Sequence, residues 1–93
     1  MSVTDIKIEL VQDVNKPNLV AVASCVIDNN IRLNNLKIMK RDRYRNVYLP
    51  GYRVDENNFV NFCEFINDEH AKSLFREVKN AYYEKCKELG IPA

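Results

Sequence analysis

Residues 68–89, DEHAKSLFREVKNAYYEKCKEL, decide the fold, because they carry the one long helical pattern in the chain. Apolar side chains recur there at steps of three and four residues, which places them along one face of a helix. The stripe comprises Ala71, Leu74, Phe75, Val78, Ala81, Tyr82, Cys86 and Leu89. Asn67 or Asp68 is expected to cap this helix, and Gly90 with Pro92 to end it. The pattern therefore predicts a C-terminal helix that packs on the rest of the domain.

The sequence before this helix predicts strands. Residues 4–10 alternate apolar and polar side chains, as a half-buried strand does. Residues 19–27, LVAVASCVI, are nearly all apolar, which suits a strand in the middle of the sheet with both faces covered. A third strand begins at Ile31, and its apolar positions change parity across Asn34 and Asn35. We expect a β-bulge or kink there.

An exposed loop is expected between the third and fourth strands. Residues 40–46 have no apolar face, whereas residues 47–49 read as a short strand that Pro50 and Gly51 stop. Residues 59–66, FVNFCEFI, are predicted to form a fifth strand with apolar side chains on both faces. The predicted fold is therefore α+β, with an antiparallel sheet of about five strands and one C-terminal helix.

Length and cysteine content limit the class of protein. The chain of 93 residues is expected to be one domain, residues 1–93, with a modest core and no enclosed active-site chamber. A thin domain often leaves an apolar face or strand edge uncovered, so a homodimer is expected.

The cysteines indicate the compartment. Cys25, Cys63 and Cys86 suit buried thiols in a reducing cytoplasm better than a disulfide framework. Neither a signal peptide nor a membrane span of roughly 20 apolar residues is recognisable.

Residues 37–53, KIMKRDRYRNVYLPGYR, form a basic segment. They contain six of the fourteen Lys and Arg residues and a single acid, Asp42, so the segment carries +5. The rest of the chain holds eight bases and twelve acids, although the whole chain sums to only +1. A positive field beside Tyr44, Tyr48 and Tyr52 suits a surface that holds a nucleic-acid backbone and stacks on its bases.

Seven residues of the basic segment are predicted to bind nucleic acid. They are Lys37, Lys40, Arg41, Arg43, Arg45, Tyr52 and Arg53. The basic side chains would contact phosphates and Tyr52 would stack on a base, whereas Tyr48 is expected to fill the core. The alternative is a solvated loop whose charges protect a strand edge from aggregation. Five bases with one acid in residues 37–45 exceed what that role requires.

Enzymatic chemistry is not expected. His70 is the only histidine, and the cysteines lack the spacing of a metal site. The acidic pairs at residues 55–56 and 68–69 lie at a turn and a helix start, where structural roles explain them. Two glycines cannot build a glycine-rich phosphate loop. No catalytic residue, metal, cofactor or small-molecule substrate is therefore predicted.

Five segments also match a known family in their order and spacing. They are VTDIKIELV at 3–11, AVASCVID at 21–28, LKIMK at 36–40, VYLPGYR at 47–53, and the run from Phe59 through residues 66–67 into the helix. In these segments the chain resembles the SpoVG family, small bacterial septation and sporulation regulators. The resemblance implies a cytoplasmic, non-enzymatic, homodimeric α+β regulator that binds DNA and, in some members, RNA.

The chain departs from the family pattern at two places. After the fourth strand, that pattern reads approximately Met-Pro-Ser-Lys-Arg-Thr-Pro, and its basic pair is associated with nucleic-acid contact. Residues 49–55, LPGYRVD, occupy this place, so Arg53 matches while Tyr52 stands where lysine is usual. The family's His-Pro-Ile-Asn corresponds to EFIN at residues 64–67. Because residues 40–45 are richer in bases than the turn expected of relatives, we hypothesise that the positive surface has shifted along this loop.

A second function stays open beside nucleic-acid binding. In it, the basic segment docks an acidic protein partner of the division or sporulation machinery, and nucleic acid binds only nonspecifically. DNA and RNA both stay open as ligands, because phosphate contacts carry no sequence information.

Overall fold

A four-stranded antiparallel sheet, a separate two-stranded ribbon and one C-terminal helix make up the computed structural model, which describes residues 1–93. The sheet contains β1 (Val3–Leu10), β2 (Leu19–Ile27), β3 (Ile31–Arg41) and β4 (Tyr44–Tyr48), in that spatial order. The ribbon pairs β5 (Gly51–Arg53) with β6 (Phe59–Asn61), and the helix α1 spans Asp68–Leu89. The predicted α+β class, with antiparallel strands followed by a helix, is confirmed.

The core lies between α1 and one face of the sheet. Alternate residues of β2, including Ala21, Ala23 and Cys25, are buried on that face, together with Leu74 and Val78 of α1. The other face of β2 is only half-buried, so the expectation that both faces are covered was wrong. Only one layer of structure packs on this sheet, and the second face of β2 therefore stays partly accessible. We call that second face of the sheet the open face.

The bulge predicted in β3 is confirmed by its register against β2. Ala23 pairs with Leu36 and Cys25 with Leu33, so a single β2 residue opposes both Asn34 and Asn35. Asn35 has a φ of 59°, a left-handed conformation that asparagine tolerates better than most residues. The extra residue brings Leu33 and Leu36 to the core face although they are three positions apart.

The helix begins and ends where the sequence predicts. The side chain of Asn67 accepts hydrogen bonds from the backbone N–H groups of Glu69 and His70, at 2.9 and 3.3 Å. Gly90 follows the last turn with a φ of 66°, and its N–H donates to the carbonyl of Lys87 at 3.2 Å. Leu89, at the end of the apolar stripe, is 55 % exposed and lies outside the core. The helix is not apolar enough to cross a membrane.

Residues 40–46 do not form the exposed loop that the sequence predicts. Strand β3 continues to Arg41 and β4 starts at Tyr44, so only Asp42 and Arg43 make the turn. Asp42 has a φ of 56°, a positive value of the kind that tight hairpin turns need. The apolar alternation disappears here because the outer end of a hairpin has little core to cover.

The predicted fifth strand at residues 59–66 is also shorter than expected. Only Phe59–Asn61 is extended and paired, and it pairs with β5 in the ribbon rather than with the main sheet. The apolar residues that follow belong to an irregular connection, in which Cys63 and Phe65 pack against the core. Their alternation therefore reflects packing of this connection and not a strand.

Candidate nucleic-acid interface

The pleat of β3 divides the basic segment between the two faces of the sheet. Leu36 and Ile38 are fully buried against the core, so Lys37, Met39 and Arg41 alternate with them onto the open face. Lys37 and Arg41 are both exposed to solvent. Two charges that are four residues apart in sequence therefore share one side of the molecule.

A groove of about 330 Å³ lies between the open face and the ribbon. Its lining consists of Lys37, Met39, Arg41, Tyr48, Tyr52, Arg53 and Phe59. The groove thus brings together four of the seven predicted contact residues, namely Lys37, Arg41, Tyr52 and Arg53. Three cations and no acid line it, which makes the groove attractive to phosphate groups.

The aromatic side chains of the groove stay accessible. Tyr48, Tyr52 and Phe59 are 36 %, 50 % and 47 % exposed, so each ring leaves part of its surface to solvent. The ring of Tyr52 also lies 5.6 Å from that of Phe62, centroid to centroid, in a tilted arrangement that supports it from one side. Half-exposed rings beside cations are the combination on which nucleic-acid bases stack.

Tyr48 does not fill the core as expected. The buried residues next to it in the chain are Val47 and Leu49, and a strand residue between two buried ones points to the opposite face. Tyr48 therefore lies on the open face, where it pairs across the strands with Lys37. The error arose because an apolar neighbour on each side looked like a continuous buried run.

Arg45 is buried, contrary to the prediction that it lies in an exposed loop. Only 8 % of its surface is accessible, because β4 turns it to the same face as Val47. Its guanidinium donates to the main-chain oxygens of Tyr44 and Ala93, at 3.1 and 2.6 Å. The Nε–H group has no partner. Burial raises the pKa of the neighbouring Tyr82, and Arg45 opposes that rise. Arg45 is therefore placed to support the fold rather than to meet a ligand.

Lys40 and Arg43 are exposed but do not line the groove. Lys40 pairs with Arg45 across the hairpin, and so belongs to the α1 side of the sheet. Arg43 lies in the two-residue turn between the strands. The structure therefore separates these two charges from Lys37 and Arg41, although the sequence placed all of them in one cluster.

Sequence reasoning missed three lining residues, Met39, Tyr48 and Phe59. The sequence contained the signal for Met39 and Tyr48. If the third strand is continued through Arg41, Met39 falls on the same face as Lys37, and the hairpin then pairs Tyr48 with Lys37 on that face. Phe59 enters the groove through the ribbon, whose position the sequence does not indicate. No group of three or more His, Cys, Asp or Glu side chains is arranged to hold a metal ion.

A comparison with protein-family models matches residues 1–84 to the SpoVG family. The chain belongs to the SpoVG family. The SpoVG match contains the whole sheet, the ribbon and most of α1, so every residue that lines the groove lies within it. The resemblance noted in the sequence is thereby confirmed. A search of curated proteins found no match.

Proposed function

We propose that this SpoVG protein is a non-enzymatic, cytoplasmic regulator that binds nucleic acid through the groove on the open face. It acts as a homodimer in control of gene expression connected with septation or sporulation. The observation that carries this proposal is the groove, because its lining combines three cations with three accessible aromatic rings and contains no acid.

The charges of the groove define the expected binding mode. If Lys37, Arg41 and Arg53 each neutralise one phosphate, the logarithm of the affinity falls with the logarithm of salt concentration with a slope of about −2 to −3 per protomer. Regulation of particular genes then requires additional contacts to bases, which phosphate contacts cannot supply. The aromatic rings next to these cations are the available source of base contacts.

Exposed apolar side chains of the ribbon region support the proposed homodimer. Val54, Phe62 and Ile66 are 58 %, 70 % and 103 % exposed. A two-stranded ribbon is only marginally stable alone, and uncovered apolar surface of this kind favours association. A dimer also carries two grooves at a fixed separation, which strengthens binding to any strand long enough to reach both.

Removal of the groove charges tests the proposal. In a triple variant with Lys37→Gln, Arg41→Gln and Arg53→Gln, we expect affinity for DNA and RNA to fall at least tenfold at low salt, and the salt slope to become less steep by about 2 to 3 per protomer. The measurement is a gel-shift titration at two salt concentrations, with circular dichroism to verify the fold.

The matched control removes three charges from α1 instead. Lys72, Arg76 and Lys87 are exposed on the helix, which packs on the opposite side of the sheet. The variant with Lys72→Gln, Arg76→Gln and Lys87→Gln has the same net charge as the groove variant. It should bind nearly as well as the wild type. Equal losses in both variants, or equal weak binding by all three proteins, would contradict the proposal and favour an acidic protein partner.

A further inference from the structure

We infer that the groove accepts an unpaired strand rather than a duplex, with a base stacked on its aromatic rings and the backbone continuing toward Lys16. The inference rests on the proposed function and specifies its ligand. Its first support is the placement of Tyr48, Tyr52 and Phe59 inside a groove and not on a flat or convex surface. In a duplex, the faces of the bases are covered by their neighbours, so only phosphates and base edges reach a protein. Rings that line a groove become useful when a base is free to enter it.

The groove does not end at Lys37. A second hollow of about 310 Å³ adjoins it and shares both Lys37 and Met39 with the first. Residues 15–18 of the turn between β1 and β2, with Leu19 at the start of β2, complete its lining. Because they share Lys37 and Met39, the two hollows lie next to each other on the open face and mark a path from Arg53 on the ribbon to Lys16 on that turn.

Charge along this path is of one sign. Arg53, Arg41, Lys37 and Lys16 line the two hollows, and no acidic residue lines either of them. Lys16 is held on an ordered turn, since its N–H donates to the carbonyl of Asp13 at 3.0 Å and its own carbonyl accepts from Leu19 at 3.1 Å. A row of cations beside stacking rings is complementary to a single sugar-phosphate backbone with its bases turned inward.

The two parts of the path have different roles. The first hollow holds the aromatic rings and therefore the base, whereas the second has no aromatic ring. Its lining consists of two asparagines and two lysines together with Pro17, Leu19 and Met39. Lys16 should thus contact only phosphate. The contribution of Lys16 to affinity depends on the length of the strand, because a strand that ends in the first hollow does not reach Lys16.

Fluorescence anisotropy with four labelled probes tests the inference. The probes are a DNA strand and an RNA strand of about 12 nucleotides, the corresponding DNA duplex, and an abasic DNA strand of equal length. This length lies within the site sizes of proteins that bind single strands. We expect both ordinary strands to bind about tenfold or more tightly than the duplex. The abasic strand retains the phosphates but lacks the bases, so its affinity should be lower by roughly 5- to 150-fold.

Substitution of Tyr52 identifies the stacking contribution. Tyr52→Leu should reduce affinity for the ordinary strands by roughly 5- to 150-fold and leave the abasic strand unaffected. The control Tyr83→Leu removes a tyrosine that is 40 % exposed on α1, and it should bind like the wild type. If Tyr52→Leu perturbs the ribbon, Tyr48→Leu provides the same test, because Tyr48 lines the groove from the main sheet.

Lys16→Gln should make the salt slope less steep by about 0.7, the contribution of one phosphate in a single strand.

The outcomes separate this inference from the proposed function. Duplex binding as tight as single-strand binding, or equal losses for ordinary and abasic strands in Tyr52→Leu, would overturn the inference while nucleic-acid binding stands. Absence of binding to all four probes would overturn both.

Discussion

Arg45 is the one charged side chain buried in this domain, and its guanidinium donates to the main-chain oxygens of Tyr44 and Ala93. A buried guanidinium is costly unless its N–H groups are satisfied, and here the Nε–H has no partner. Its hydrogen bond to Ala93 nevertheless connects β4 to the chain beyond α1. The same residue type thus performs a structural task at position 45 and faces a groove at position 41.

Arg45→Ala should separate these two tasks. We expect it to lower the free energy of unfolding by about 1–3 kcal/mol, since charge-assisted hydrogen bonds in a partly buried site are lost. Affinity for nucleic acid should stay within about twofold of the wild type, because Arg45 does not line the groove. Urea denaturation and anisotropy measure the two quantities. Arg41→Ala should show the reverse pattern, and weakened binding by Arg45→Ala without loss of stability would refute this assignment.

The ribbon of β5 and β6 is the element on which the groove depends. It supplies Tyr52, Arg53 and Phe59, yet it shares no hydrogen-bonded edge with the main sheet. The turn that joins its strands is held by Asp55, whose carboxylate accepts from the side chain of Asn58 at 2.8 Å. That hydrogen bond, with the N–H of Asn57, holds the pKa of Asp55 below its usual value, so the carboxylate stays ionised and keeps the turn to a lower pH than an ordinary aspartate would.

Gly51→Ala should disable the groove through the ribbon. A Cβ at this position would collide with the carbonyl oxygen of Val60 and lie 2.7 Å from the ring of Phe59. Because Gly51 belongs to the ribbon and not to the core, we expect the stability of the main sheet to change little and affinity to fall about tenfold or more as groove contacts are displaced. Amide chemical shifts of the ribbon and anisotropy measure both effects.

Gly90→Ala is the control for a glycine substitution elsewhere. The residue adopts a φ of 66° after α1, and a side chain there would meet open space. Strain in the left-handed conformation should cost about 1 kcal/mol of stability without a change in affinity. If Gly51→Ala behaves in the same way, the ribbon does not position the groove residues.

The sequence predicts the helix and the β-bulge better than it predicts the hairpin. The helix was predicted from its apolar stripe and its ends from the caps, because Asn67 and Gly90 act through local backbone geometry that needs no knowledge of the fold. The bulge at Asn34 and Asn35 was predicted for a similar reason, since a parity change within one strand is visible in the sequence. The hairpin at Asp42 was missed, because polar strand ends carry no periodicity to distinguish them from loops.

The groove was predicted only in part, for a reason that concerns the whole molecule. Position along the chain locates Lys37, Arg41 and Arg53 in a basic segment, but the pleat decides which charges share a face. Arg45 was misassigned because its burial depends on α1, an element far away in sequence. Phe59 was missed because the path of the chain after Arg53 determines where the ribbon lies.

The proposed homodimer is tested by mass in solution. Sedimentation equilibrium at micromolar concentration should give twice the 10.9 kDa of one chain. The double variant Val54→Asp, Ile66→Asp should shift this mass toward the monomer, because a carboxylate in an apolar interface must be desolvated. Val14→Asp is the control, since Val14 is 93 % exposed in the turn between β1 and β2. A monomeric wild type, or equal masses for both variants, would contradict the proposal.

The pleat of β3 and β4 also has a consequence for how this protein can diverge. In the stretch from position 37 to position 45, one set of side chains lines the groove while Arg45 is buried on the core face, so neighbouring positions are under different structural constraints. Substitutions can therefore alter one set and spare the other. A one-residue insertion between positions 37 and 41 would instead exchange the faces of all residues that follow in the strand. We expect selection to eliminate such an insertion.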